Sequence, residues 1–231
     1  MATSTEFLIS MLNQLPIQEI STFAIWIPMI LAGMRWKTGD QKIRLFFVFL
    51  LFGVITDGFG WLVYGILENL EIGNYHAYLL YFYLWFEALF FIWVVFEFLE
   101  TKRNTFWKRV LWIGISILFL IEGVIRFGFG NPMDIYTSFI VSGVLVLNAF
   151  LMAFALLGLA EKNGEIMRDP WFWILSGIFF YSFSVFFIDM LTYTAIGPEL
   201  WKFRTLLNMI QYVFFVVGLM RIANSQLSMT N

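Results

Sequence analysis

The sequence predicts an all-α, polytopic membrane protein with seven transmembrane helices. Hydrophobic residues make up 61% of the 231 residues and charged residues 13%, whereas about a quarter of the residues in a soluble domain are charged. The apolar residues fall into runs of about 20, the length that a helix needs to cross the hydrocarbon core of a bilayer. Seven such runs with short connections fill the chain, so we expect a single domain over residues 1–231.

The seven runs, called spans 1 to 7, are separated by short polar connections. Their predicted bounds are 17–34, 44–67, 77–98, 109–128, 135–159, 171–194 and 200–222. Span 1 differs from a secretory signal because no Lys or Arg precedes it, while Glu6 and Glu19 lie before it and at its outer edge. We therefore expect span 1 to remain in the mature protein.

Prolines and glycines predict local features of individual spans. Pro16 and Pro28, near and in span 1, predict a kink there, and Pro170 suits the first turn of span 6. Gly58 and Gly60 in span 2 and Gly123 in span 4 predict positions where helices pack closely.

The basic residues predict the orientation of the bundle. Lys and Arg concentrate in the connections after spans 1, 3 and 5, which the positive-inside rule assigns to the cytoplasm. The residues are Arg35, Lys37, Lys42, Arg44, Lys102, Arg103, Lys108, Arg109, Lys162 and Arg168. We therefore expect the N-terminus outside, the C-terminus in the cytoplasm, and a multi-pass location in the inner, or plasma, membrane.

A sequence pattern recurs between the two halves of the chain. Residues 31–40 and, 125 residues later, residues 156–165 both read L-x-G-apolar-x-x-K-x-G-acidic. An offset of 124 aligns Glu87, Phe90 and Phe91 with a Gln-Phe-Phe set in span 7 that begins at Gln211. The pattern predicts a 3+1+3 parallel repeat, in which spans 1–3 and 5–7 are duplicated triplets joined by span 4.

This 3+1+3 arrangement resembles the architecture of the SWEET sugar transporters, and seven spans with the N-terminus outside resemble the microbial rhodopsins. The first resemblance implies transport of a small solute, and the second implies a retinal-bearing Lys in the middle of span 7. The chain has no Pro-Gln pair of the SWEET and PQ-loop families, and Met209, Ile210 and Gln211 occupy mid-span 7. Lys202 lies at the outer edge of that span, so the resemblance is confined to architecture.

Composition excludes several classes of site. The chain has no Cys and a single His, His76, which excludes disulfides, thiolate metal sites, bis-histidine haem and zinc-protease motifs. We expect no metal, no cofactor and no catalytic residues. The net charge of −2 and the absence of a basic block predict no nucleic-acid partner.

Polar residues inside the spans are the candidates for a ligand-binding site, because burying them in a membrane is costly. The candidates are Asp57, Tyr83, Glu87, Glu122, Arg126, Asp189, Arg204, Asn208 and Gln211. Helical spacing predicts that they face the bundle interior, around an outward-opening polar cavity with carboxylates on its walls and floor. Arg126 and Arg204 are expected at its mouth, where guanidinium groups suit an anionic group of a ligand.

Helical spacing in span 2 places a carboxylate on a glycine-lined face. Gly53, Asp57, Gly60 and Tyr64 follow one another at i, i+4, i+7 and i+11. We expect another helix or a ligand to approach this face closely.

Each candidate also has a purely structural interpretation. Glu122 with Arg126, and Asp189 with Arg204, are candidates for ion pairs that hold spans 4, 6 and 7 together. Asp57 is equally a candidate for a protonated carboxyl group bonded to a neighbouring span. His76, at the edge of a connection, is expected to be an interfacial residue, with a pH-sensing role as the alternative.

Four functions remain open at this point. The first is a receptor or sensor that binds a small anionic or zwitterionic ligand and acts through a membrane or cytoplasmic partner, because a C-terminal segment of about nine residues is too short to signal alone. The second is a small-solute transporter or channel that uses Asp57 and Glu87 at mid-membrane. The third is an intramembrane enzyme acting on lipid through Asp57, Glu87 and Asp189, and the fourth is an assembly subunit. An enzyme is the less favoured of these because no nucleophile motif is present.

Overall fold

The prediction of an all-α chain with seven membrane-length helices is confirmed. A computed structural model of the protein describes residues 16–37, 39–67, 70–98, 104–129, 139–162, 165–192 and 197–229. Seven of the helices in these ranges are long and apolar enough to cross a membrane. Their length and composition indicate a multi-pass membrane protein.

The helix bounds follow the predicted spans closely. Two helices form span 1, a π-helical turn extends span 2, and a 3₁₀ turn, Ile166–Arg168, precedes span 6. In chain order the helices are Ile17–Ala24 and Trp26–Met34, Gln41–Trp61 with the π turn Leu62–Leu67, Leu70–Phe98, Asn104–Phe129, Phe139–Lys162, Pro170–Thr192 and Gly197–Met229. The predicted start of span 5 at 135 and end of span 6 at 194 lie outside the described residues.

Prolines and capping residues set the helix ends. Span 1 is interrupted at Ile25, three residues before Pro28, because the proline ring clashes with the carbonyl group four residues earlier and removes a hydrogen bond. The helix of span 1 is thus broken near Pro28, and the bend that the proline predicts stays a prediction. Span 2 begins earlier than predicted because the Asp40 side chain accepts a hydrogen bond of 3.0 Å from the backbone N–H of Ile43. Pro170 is the first helical residue of span 6, as predicted.

Six spans pack in a ring, and span 4 lies outside it. Neighbours around the ring are spans 1, 2, 3, 5, 6 and 7, and span 7 packs back on span 1. Span 4 packs on spans 3 and 5 and is the least buried of the seven. The interior of the bundle is therefore formed by two sets of three spans.

Close approach of helices at glycines is confirmed at some positions and not at another. A Cβ atom at Gly60 would lie 2.6 Å from the Nε2 of His76, and one at Gly53 would lie 3.3 Å from the Tyr83 hydroxyl. The glycine face of span 2 is thus approached closely, as expected. The prediction for Gly58 is wrong, since nothing lies within 4 Å of its added Cβ.

An aromatic core fills one end of the ring, toward the connections rich in Lys and Arg. The rings of Phe49 and Phe90 stack with centroids 4.5 Å apart, and those of Phe46 and Phe215 meet edge to face at 5.0 Å. These four side chains, with Phe91, are all buried. Large aromatic side chains in these geometries contribute packing energy beyond the area they bury. Because the rings are buried and fill the interior between the helices, this end of the ring is closed.

Candidate functional site

A polar cavity lies in the opposite half of the ring. Its volume is about 330 Å³, at the lower end of the range for small-molecule sites. It is lined by Gln18, Ser21, Thr22, Asp57, Gly60, Trp61, Tyr64, His76, Ala77, Leu80, Tyr83, Leu84, Glu87, Tyr181, Arg204, Thr205, Asn208 and Tyr212. Spans 1, 2, 3, 6 and 7 contribute, and exposed Gln18 and Tyr64 mark its open side.

The structure brings five of the nine predicted site residues together at this cavity. They are Asp57, Tyr83, Glu87, Arg204 and Asn208. The other four are not among its lining residues. Asp189 is paired with Arg204. Gln211 is buried on span 7, and its backbone oxygen lies close to Gly177 of span 6.

Glu122 and Arg126 form an ion pair on span 4, away from the cavity. The carboxylate and guanidinium atoms are 2.8 Å apart, one helical turn from each other. The Tyr81 hydroxyl of span 3 donates to the Phe119 carbonyl at 2.7 Å and lies 3.4 Å from the Glu122 carboxylate. The two charges are paired as predicted, but within one helix rather than between spans, and Arg126 is not among the residues that line the cavity.

Asp189 and Arg204 form the second predicted ion pair, and this one joins spans 6 and 7. The atoms are 2.7 Å apart, with side-chain exposures of 4% and 10%. Arg204 is also hydrogen-bonded to Tyr181, which lines the cavity. The guanidinium group is therefore part of the wall and is already neutralised by a carboxylate.

The two cavity carboxylates lie beside tyrosine hydroxyls, and Glu87 is also attracted by the Arg204 guanidinium. The Tyr212 hydroxyl donates to Asp57 and is itself bonded to Asn208, so these side chains link spans 2 and 7. The Tyr83 hydroxyl, one turn away on span 3, donates to Glu87. Glu87 is 9% exposed and Asp57 is half-buried, with the cavity as the space that both face.

His76 lies in the cavity wall, which differs from its expected place at the interface. Its ring donates a hydrogen bond to the backbone carbonyl of Thr56 and packs against Gly60. Tyr64 meets the imidazole edge to face at 5.3 Å. Only a glycine at position 60 leaves room for the ring, so the close approach of spans 2 and 3 places the histidine here.

The contribution of span 1 and two of the four tyrosines in the cavity wall were not predicted from the sequence. Gln18, Ser21 and Thr22 lie at i, i+3 and i+4 and line the cavity, and this spacing is itself a readable polar face. Tyr181 and Tyr212 gave no comparable signal, because aromatic residues are abundant throughout the chain.

A second, much smaller cavity of about 20 Å³ lies behind the first. It shares Leu84, Glu87, Tyr181 and Arg204 with the larger cavity and extends to Asn148 of span 5. A void of this size holds about one water molecule. Among the described residues, no group of three or more His, Asp or Glu side chains is arranged to hold a metal ion.

Comparison of the chain with protein-family models, with curated proteins and with solved structures finds no match. The properties of the site therefore rest on its own geometry.

Proposed function

We propose that the protein is an integral membrane receptor or sensor that binds a small zwitterionic solute in the polar cavity. One observation carries the proposal: the cavity is open at one end of the bundle, and the other end is closed by the aromatic core. A one-ended polar cavity of ligand size can bind a solute without offering it a path through the membrane. The signal would then pass to a membrane or cytoplasmic partner protein.

A zwitterionic ligand fits this cavity better than an anionic one. The wall contains two carboxylates, Asp57 and Glu87, and a single guanidinium group, Arg204, which Asp189 already neutralises. A purely anionic ligand would add negative charge beside both carboxylates, which costs energy in a partly desolvated site.

The proposed orientation places the cavity on the outer side. The aromatic core lies toward the connections that carry the basic residues, such as Arg35, Lys42 and Arg44. If the protein is in the inner membrane, these connections are expected on the cytoplasmic side. Absence of Cys makes the orientation testable by single substitutions at exposed positions. We expect a membrane-impermeant maleimide to label Tyr75→Cys on intact cells, and Met167→Cys only after permeabilisation.

The ring of helices is compatible with the 3+1+3 repeat that the recurring sequence pattern predicts. A rotation that exchanges spans 1, 2 and 3 with spans 5, 6 and 7 turns each neighbouring pair in the ring into another neighbouring pair. Contact of spans 1 and 7 thus corresponds to contact of spans 3 and 5. A parallel repeat also characterises transporters, so a small-solute transporter with Asp57 and Glu87 at mid-membrane is the second candidate.

Ligand binding is tested by thermal unfolding of the purified full chain against small carboxylates, amines, amino acids and sugars. A ligand at about a hundred times its Kd adds about 2.7 kcal/mol to the free energy of unfolding. A receptor requires at least one compound that stabilises the wild type and loses this effect when Asn208→Ala alters the cavity. The control is Ser116→Ala, a polar residue on span 4 bonded to Trp85 outside the cavity.

Flux into liposomes separates the two candidate functions. Any stabilising compound is added outside liposomes that contain the protein, and its uptake is followed against protein-free liposomes. A receptor predicts no uptake above the control. Uptake that Asp57→Asn abolishes would favour the transporter and overturn the receptor.

A further inference from the structure

We propose that the inner part of the cavity binds a positively charged nitrogen of the ligand, held between Asp57 and Glu87, so that the ligand is a small organic amine or amino acid. This inference rests on the proposed function and names the ligand class. Its first support is the charge of the wall. Neither carboxylate forms an ion pair in the part of the chain that the structure describes, and the nearby guanidinium of Arg204 is 2.7 Å from Asp189.

The hydrogen bonds of the wall leave acceptors in excess. Tyr212 uses its hydroxyl proton on Asp57, and Tyr83 uses its proton on Glu87. A carboxylate offers about four lone-pair sites, so each keeps acceptor capacity after one such bond. A primary ammonium group carries three donors and no acceptor, and it complements this wall in both charge and hydrogen bonding.

A further unused acceptor lies directly behind Glu87. The side-chain oxygen of Asn148 is buried, with the residue 2% exposed, and has no hydrogen-bond partner among the described residues. It lines the small cavity that shares Glu87 and Tyr181 with the larger one. Buried polar atoms are normally satisfied, and a donor at Glu87 satisfies this oxygen directly or through the one water molecule that the void can hold.

The remaining wall fits the hydrocarbon part of such a ligand. Trp61, Ala77, Leu80 and Leu84 line the same cavity on spans 2 and 3. Apolar side chains bury the carbon skeleton of a ligand, while a few placed polar groups fix its orientation. The class is therefore a small amine with an apolar side chain, with or without a carboxylate.

Three matched series of compounds test the inference by thermal unfolding of the purified full chain. Each series contains an amino acid, the amine that lacks its carboxylate, and the hydroxy acid that lacks its ammonium group. The series are alanine, ethylamine and lactate; leucine, isopentylamine and 2-hydroxyisocaproate; and phenylalanine, phenethylamine and phenyllactate. We expect an amino acid and its amine to stabilise the protein, and the matching hydroxy acid to leave it unchanged.

Isosteric variants locate the effect. Glu87→Gln and Asp57→Asn remove one charge each, and a charged hydrogen bond lost at either position weakens binding about tenfold or more. Glu97→Gln is the matched control, since it makes the same change on the same span at an exposed position outside the cavity. Equal affinity in Glu87→Gln, Asp57→Asn and Glu97→Gln would overturn the ammonium site.

The outcomes separate this inference from the proposed function. Stabilisation by a hydroxy acid or a sugar, with none from any compound that bears an ammonium group, would overturn the ammonium site and leave the receptor standing. No stabilisation by any compound tested would overturn both. Stabilisation by an amine that is lost in Glu87→Gln and kept in Glu97→Gln supports both.

Discussion

The buried ion pair between Asp189 and Arg204 is expected to be the most stabilising polar contact between two spans. It joins spans 6 and 7 over 2.7 Å, and both side chains are almost fully buried. We would replace the two residues singly and together, as Asp189→Asn, Arg204→Met and the double variant. These changes remove the charges and keep the side chains near their original lengths.

The magnitude follows from the separation and the burial. At 2.7 Å and an effective dielectric constant of about 20, two unit charges attract by about 6 kcal/mol. Breaking a buried pair by removing one partner costs about 3–5 kcal/mol, because the other charge stays buried without compensation. Asp189→Asn should cost more than Arg204→Met, since an aspartate can take up a proton whereas a guanidinium group stays charged.

The assay is the free energy of unfolding in detergent, measured for the four proteins of the double-mutant cycle. The double variant should lose less free energy of unfolding than the two single variants together, and the difference is the coupling energy of the pair. Hydrogen bonds between membrane helices have coupling energies of up to about 1.7 kcal/mol, and we expect a larger value for this ion pair. The control is the same cycle at Glu122 and Arg126. That pair lies within one helix, and a helix persists when spans separate in the membrane, so its coupling should be smaller. Equal coupling in the two cycles, or a coupling near zero at Asp189 and Arg204, would refute the reasoning.

Four further substitutions test single positions. Gly60→Ala should lower the free energy of unfolding by about 1–3 kcal/mol, because its Cβ would lie 2.6 Å from the His76 ring. Gly58→Ala should raise the free energy of unfolding by up to about 1 kcal/mol, because nothing lies within 4 Å of the added Cβ and alanine has the higher helix propensity. If the same unfolding assay showed a larger loss at Gly58 than at Gly60, the helix packing described for span 2 would be contradicted. Glu87→Gln should leave the ligand-free protein as stable as the wild type or more stable, because no ion pair is broken within the described residues. A loss of more than about 3 kcal/mol in the free energy of unfolding would indicate that Glu87 has a buried cationic partner. Tyr81→Phe should cost about 1 kcal/mol by removing a 2.7 Å hydrogen bond to span 4, and an unchanged unfolding curve would show that this bond contributes nothing.

The spans could be predicted from sequence because membrane helices follow directly from apolar length. The observed helix ends differ from the predicted ones where polar residues continue a helix beyond its apolar stretch. Span 2 begins at Gln41 because Asp40 caps it, and span 7 continues to Met229 although its apolar run ends near 222. The π-helical turn Leu62–Leu67 had no signal in the sequence, since it depends on how the end of span 2 packs.

The candidate site could be predicted only in part, because helical spacing identifies residues that share a face without saying what that face meets. Glu122 and Arg126 were correctly placed on one face of span 4, yet span 4 lies outside the ring, so this face does not reach the cavity. Tyr212 was not predicted at the site, and His76 was expected at the interface rather than in the cavity wall. Their roles depend on contacts across helices with span 2, which no spacing within one helix reveals.

The two tyrosines that hold the cavity carboxylates also contact the aromatic core. Tyr83 stacks on Phe49 with centroids 6.1 Å apart, and Tyr212 lies 6.4 Å from Phe215. Both phenylalanines contact Phe46, at 6.1 Å and 5.0 Å. Two continuous rows of aromatic rings, one from each half of the proposed repeat, therefore run from the cavity to the closed end and meet at Phe46.

This arrangement bears on the choice between receptor and transporter. A solute that drew the tyrosines toward itself would change the packing around Phe46, which is fully buried. Packed cores respond to such changes by switching between discrete arrangements rather than by deforming continuously. A receptor needs only such a switch, which leaves the closed end sealed while the connections beyond it move. A transporter would have to open a path for a polar solute past these rings, which belong to the larger of the two buried hydrophobic clusters in the described structure.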